Sequence, residues 1–328
     1  MDDRPPRRAL AGALSRLERA LRSPRARVAG AVLGLALVAL LLLRLADLWG
    51  ERPPDLDDAN WPLLALALAA TGVAMTCLAL IWGPCLRSVG AEPPRGLTAA
   101  YYLGQLAKYL PGGGWQYLGR AALAARLGVP LRAAGASLAV ETAAIVAGAA
   151  LVAPLLLADD ALGAAAAVVI VHTVAVGALA AWRRPRAGRA TRALLARLAG
   201  AGASVRAAEA ARAIGLFALA WLVFGLALWL TARALFDAPA SEFLPMTGAF
   251  AIAWIAGFVA VIAPGGIGVR EAVLVGLLGP RVGEAEAILL AAASRIAFTL
   301  VDLGGALAAV AVMRHLAPPA PNGTTPAG

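Results

Sequence analysis

The sequence predicts an all-α polytopic membrane protein. It would have about six full spans plus two Pro-Gly-Gly-broken, re-entrant-type helical segments, arranged as an inverted repeat. Three observations carry that expectation. Of 328 residues, 61% are hydrophobic and 15% charged, against roughly 25% charged in an ordinary soluble domain. The mean hydropathy is +0.78, and a soluble fold needs more polar surface to cover its core. Arginine gathers in a few segments between long apolar runs, and Pro-Gly-Gly interrupts one apolar stretch in each half. Alanine and leucine dominate without strand-type alternation, which argues against an outer-membrane barrel. A disordered chain and a disulfide-stapled secreted domain are excluded on composition.

Residues 1–27 read as a basic cytoplasmic arm, with Arg4, Arg7, Arg8, Arg16, Arg19, Arg22, Arg25 and Arg27, interrupted by Pro5, Pro6 and Pro24. A short amphipathic helix around Leu10 to Leu21 would lie against anionic lipid heads. The membrane domain follows over 28–314. Val28 to Leu48 is the first span; it is too long for a signal-peptide core and no clear cleavage site follows it, so it reads as an uncleaved anchor. Pro62 to Trp82 is the second, with tryptophans at its borders as interface anchors. Ala133 to Leu157 and Ala161 to Trp182 form a hairpin turned at Asp159 and Asp160. Residues 183–212 are an arginine-rich cytoplasmic loop whose stretch from Ala190 to Ala213 reads as an interfacial helix. Ala213 to Leu235 and Ala285 to Met313 are the remaining full spans. Residues 315–328 form a tail, rich in proline and glycine and expected to be disordered.

The net charge of +10 does not imply nucleic acid here. Cationic residues of a membrane protein collect in cytoplasmic loops and fix its topology. The arm, the loop at Arg87 and Arg95, the central loop and Arg314 fall on one side; Asp55, Asp159, Asp237 and Glu242 fall on the other. Both termini are therefore expected in the cytoplasm, with the chain multi-pass in a bacterial-type plasma (inner) membrane. Cys77, Cys85, His172 and His315 show no metal-ligand spacing, and no phosphate-binding glycine loop is present. The chain is expected to need no metal and no cofactor. Its oligomeric state is left open.

The broken segments are 97–127 and 245–278. In the first, the arms on either side of the break run roughly 14 and 13 residues, too short at 1.5 Å per residue for a core about 30 Å thick. Broken backbone survives at membrane depth only where protein or a wet cavity satisfies it. Paired interruptions approaching from opposite sides point to an inverted repeat with a binding site between its halves.

The first break reads Lys108-Tyr109-Leu110-Pro111-Gly112-Gly113-Gly114-Trp115, with Arg120 after it. The second reads Pro264-Gly265-Gly266-Ile267-Gly268-Val269-Arg270-Glu271. These motifs resemble the K-Y-[LI]-P-G-x-x-W-x-x-x-x-R and P-G-G-[LIF]-G-x-x-E signatures of the lysylphosphatidylglycerol synthase transmembrane region family, also called flippase-like or UPF0104 membrane proteins. The resemblance covers roughly Val28 to Met313. Family members that make lysyl-phosphatidylglycerol carry a soluble aminoacyl transferase domain after the membrane part. This sequence ends at Gly328 without one, so the resemblance implies the lipid-translocating half rather than an enzyme.

The residues have their own reading. Glycines 112 to 114 let a ligand approach the backbone closely, and the helix starting near Trp115 turns its N-terminus toward the gap, where anions are attracted. Lys108 and Arg120 add full charges, and Tyr109, Trp115 and Tyr117 are suited to line or seal a cavity. The competing reading has Lys108 and Arg120 snorkelling to the interface. Arg270 and Glu271 lie about 100° apart on a helix and need not pair; Glu271 is suited either to carry a proton or pair with a cation, or to sit at the outer surface. Glu141, Arg295 and Asp302 interrupt spans, where charge is expensive. They are candidates for proton coupling or for structural ion pairs, with Glu141 a partner for Arg295. The expected cargo is an anionic or aminoacylated lipid of phospholipid or polyprenyl-phosphate type, and the expected partners are membrane lipids and a separate lipid-modifying transferase.

Overall fold

A computed structural model describes residues 58–109, 114–158, 206–260 and 266–316, with Ala39 and Leu43 as isolated helical positions. The expectations for the arm 1–27, the span 28–48, the span 161–182, the loop up to residue 205 and the tail from 317 lie outside the described residues. The described chain forms α1 (Trp61–Ser88), α2 (Leu97–Gln105), α3 (Trp115–Arg126), α4 (Leu131–Val152), α5 (Ala207–Phe236), α6 (Phe243–Val259), α7 (Val269–Val282) and α8 (Glu284–Leu316). Three 3-10 turns adjoin them: Leu106–Tyr109 after α2, Ala153–Leu157 after α4 and Ala240–Glu242 before α6. No strand occurs among the described residues. Among the described residues, five segments are long and apolar enough to cross a membrane: Trp61–Ser88, Leu131–Leu157, Ala208–Phe236, Ala240–Val259 and Glu284–His315. The protein is an all-α, multi-pass membrane protein.

Local chemistry sets the helix starts. The Asn60 side chain accepts from the Leu63 N–H at 3.1 Å, and Pro62 lies in the first turn, where a missing N–H costs nothing. Residues 206–212, placed by the sequence in the cytoplasmic loop, instead lead into and open α5. Arg212 ends no helix there, because a single charge at a helix end can stay in the interface while its turn continues. The arm before the second break also differs from expectation. With its preceding turn it spans Ala240–Val259, about 30 Å at helical rise, so the two broken segments are unequal.

α1 and α5 run antiparallel and are tied at both ends. The Asn60 N–H donates to the Ala234 carbonyl at 2.9 Å and the Arg206 N–H to the Ser88 carbonyl at 2.7 Å. Small residues bring the other helices close, as expected where apolar lipid removes the hydrophobic drive for helix association. Gly148 of α4 lies on Phe217 of α5, Gly225 of α5 on Thr247 of α6, and Gly248 of α6 on Leu156. Large side chains fill what remains, including Trp82, Trp221, Phe217 and Phe250. Outward, Leu66, Val73 and Leu80 make an exposed stripe on α1, and Ile296, Leu300, Leu303 and Leu307 make another on α8. Spacings of three, four and seven keep each stripe on one face, as a lipid-contacting surface requires.

Each broken segment folds back on itself. α2 lies along α3, and α6 along α7. Glycine permits both crossings. A Cβ at Gly104 would overlap Cγ of Arg120 and stand 3.0 Å from its backbone nitrogen. A Cβ at Gly257 would stand 3.0 Å from Cβ of Arg270. Gly266, at φ +67, is pressed against Gly257. α8 then closes the bundle by lying against both α7 and α2, so the last helix touches both hairpins.

Candidate functional site

A cavity of about 620 Å³ opens between the two hairpins. The first hairpin contributes Lys108, Gly114, Tyr117 and Arg120, and the second contributes Gly257, Ala260, Gly266 and Arg270. Glu141 of α4 and Arg295 of α8 also line it. Phe224, Trp254, Phe258 and Phe298 make an aromatic wall, in which Trp254 and Phe258 stack at 5.4 Å and Phe224 and Phe298 at 5.2 Å.

The two arginines that follow the breaks occupy similar settings. Arg120 lies over Trp82 and Tyr101, at 4.5 and 4.1 Å from the ring centres. Arg270 lies over Phe250 and Phe298, at 4.7 and 4.5 Å. Each guanidinium thus rests on two aromatic faces, whose negative quadrupoles attract it, and each has a helix glycine beneath its stem. The likeness stops at the ion pair. Arg120 donates to Glu141, both side chains being buried. Arg270 is 6% exposed, and its Nε and Nη2 have no hydrogen-bond partner.

The remaining charges are paired. Arg295 Nε donates to Oε1 of Glu271 at 2.9 Å, while Oε2 of Glu271 accepts from the Gly268 N–H at 2.7 Å. Glu271 therefore caps its own helix, neutralises an N-terminal dipole and holds Arg295 at once. Lys108 Nζ stands 2.5 Å from Oδ2 of Asp302, and the Tyr109 hydroxyl donates to the same oxygen at 2.7 Å. These contacts join the first break to α8.

The expected pairing of Glu141 with Arg295 is corrected. α3 turns back beside α4 and brings Arg120 to Glu141 first, while α7 brings Glu271 to Arg295. Arg295 and Asp302 share a stretch of α8 but serve different partners. Arg270 and Glu271 point apart, as adjacent helical residues do, and both are buried. Gly268 is the N-cap of α7, and Trp115 opens α3 with its ring part exposed. Pro111, Gly112, Gly113, Pro264 and Gly265 lie outside the described residues, as do Arg44 and His172. Among the described residues no group of three or more His, Cys, Asp or Glu is placed to hold a metal ion.

Sequence reasoning missed the aromatic beds under both arginines. It missed the aromatic wall as well, for which the four-residue spacing of Trp254 and Phe258 was a readable sign of a shared face. Glycine followed three residues later by glutamate, Gly268 to Glu271, was a readable cap signal.

No curated protein matches the chain by sequence. A family model does: residues 28–304 match the Lysylphosphatidylglycerol synthase TM region. The match takes in both hairpins, the cavity between them and every ion pair that borders it, and on it the chain belongs to the Lysylphosphatidylglycerol synthase TM region family, as a multi-pass membrane protein related to lipid handling.

Proposed function

We propose that the protein moves a lipid between leaflets, as a flippase-like transporter of a bacterial-type plasma (inner) membrane, with both termini cytoplasmic. The supporting observation is the shared cavity, bordered by both hairpins and by four cationic side chains, Lys108, Arg120, Arg270 and Arg295. A largely apolar cavity with charged groups on its wall, set between two folded-back hairpins, offers a head group a path of short steps in place of bare hydrocarbon. The cargo class is an anionic or aminoacylated lipid, of phospholipid or polyprenyl-phosphate type. Transport, rather than catalysis, is the activity proposed.

A second reading draws on the Lys108–Asp302 contact, which ties the first hairpin to α8. A tied cavity suits a protein that holds a lipid for a separate lipid- or glycan-synthesis transferase without moving it. Reconstitution into liposomes with head-group-labelled lipid separates the two. Transport predicts that an impermeant quencher reaches label first confined to the inner leaflet, faster than in protein-free liposomes. Equal rates with and without protein, while lipid still binds, would leave the holding role.

A further inference from the structure

The charges around the cavity do not balance. Lys108, Arg120, Arg270 and Arg295 line it. Three carboxylates meet them, Asp302, Glu141 and Glu271, and each is already engaged, with Lys108, Arg120 and Arg295 respectively. Arg270 is left over. The adjoining segments 110–113 and 261–265 read Leu-Pro-Gly-Gly and Val-Ile-Ala-Pro-Gly and bring no ionisable side chain. Among the described residues, the cluster thus carries one uncompensated positive charge.

An uncompensated buried charge is costly, and lost N–H partners add to the cost. The Phe250 and Phe298 faces return part of it, by the attraction of a desolvated cation to an aromatic ring. They offer no acceptor to Nε or Nη2. What Arg270 lacks is an anion with several acceptor oxygens, and a guanidinium fork fits phosphate well. The aromatic wall gives the ligand an apolar neighbour. A cationic head group finds the reverse, because among the described residues no lining carboxylate is free to receive an ammonium.

We infer that the cavity selects a lipid whose head group is a phosphodiester monoanion without a compensating cation, held by Arg270, over zwitterionic and aminoacylated cationic lipids. This rests on the lipid reading above and narrows its cargo to one charge class.

The test uses the purified full chain in a neutral detergent. Thermal unfolding and competitive binding are followed with phosphatidylglycerol, phosphatidylcholine, lysyl-phosphatidylglycerol and water-soluble glycerophosphoglycerol. Phosphatidylglycerol should raise the unfolding temperature and bind at least about tenfold more tightly than the other three, a difference of about 1.4 kcal/mol. Arg270→Gln should unfold no lower than the wild type without lipid, since it removes a buried unpaired charge, and should lose the phosphatidylglycerol shift and about tenfold in affinity. Arg270→Lys should keep part of both. Arg233→Gln, in an i,i+4 pair in the last turn of α5, should leave the lipid ranking unchanged. Undiminished phosphatidylglycerol affinity in Arg270→Gln would overturn the assignment. So would a wild-type preference for lysyl-phosphatidylglycerol, or equal protection by glycerophosphoglycerol, which would mean a soluble ligand. If Arg270→Gln fails to fold, the wild-type ranking still decides. Binding that depends on Arg270 without movement between leaflets would sink transport alone; movement of phosphatidylglycerol at the wild-type rate by Arg270→Gln would sink the selectivity alone.

Discussion

Lys108, at the edge of the first break, reaches Asp302 near the middle of α8, with Nζ 2.5 Å from Oδ2. Asp302 is fully buried, and its Oδ1 has no partner. Lys108→Ala would leave a buried carboxylate with only the Tyr109 hydroxyl. Breaking one side of such a pair typically costs about 3–5 kcal/mol. Chemical or thermal unfolding should show a loss of that order. Lys108→Met combined with Asp302→Leu should recover most of it, because two apolar side chains leave no charge behind. A double variant as unstable as the single one would refute the pairing as the source.

Arg120 should behave as a structural cation. It is 2% exposed, paired with Glu141 and laid on Trp82 and Tyr101. Arg120→Lys keeps the charge but loses the planar face and the fork. The expected result is a stability loss of about 1–2 kcal/mol, the size of a desolvated cation–ring contact, with the ranking of lipids unchanged. A changed ranking at constant stability would make Arg120 a ligand instead.

Two neighbouring glycines of α8 should respond oppositely to alanine. A Cβ at Gly304 meets nothing within 4 Å, whereas one at Gly305 would enter the Tyr102 ring, with Cγ at 3.0 Å. Gly304→Ala should be neutral or stabilising by up to about 1 kcal/mol, the usual helical gain. Gly305→Ala should cost about 1–3 kcal/mol through overpacking. Equal unfolding temperatures for the two variants would mean that α8 does not lie on α2 as described.

Topology is testable by single cysteines in a background lacking Cys77 and Cys85. On the proposed orientation, Arg95 and Arg206 lie on the cytoplasmic side and Asp237, whose side chain is 85% exposed, on the other. Cysteine at position 237 should react with an impermeant maleimide added to intact cells. Cysteine at 95 or 206 should react only after permeabilisation. The reverse pattern would invert the orientation.

The helices and both interruptions were legible because their signals are local: apolar run length, and Pro-Gly-Gly where a helix cannot continue. The partners of the buried charges were not. Arg120 and Glu141 stand in consecutive helices, but nothing in their spacing tells which way α3 folds back. Asp302 meets Tyr109, 193 positions away, a contact set entirely by α8 settling on the first hairpin. Arg270 and Arg120 are equivalent as letters after a glycine break. Only the packing of α4 beside one, with Glu141, and of Phe250 and Phe298 beside the other makes one neutralised and the other not.

The two ties between α1 and α5 bear on the bilayer the protein accepts. From Ala213 to Ala232, between Arg212 and Arg233, α5 carries no charge, a rise of about 30 Å that equals a typical hydrocarbon thickness. α1 is bound to it at both surfaces and cannot slide past it. A thinner membrane is therefore met by leaning the pair over as one rigid unit. Hydrophobic mismatch is absorbed by tilt of this frame, and the span of α5, not the surrounding lipid, sets the ruler against which the two hairpins are hung.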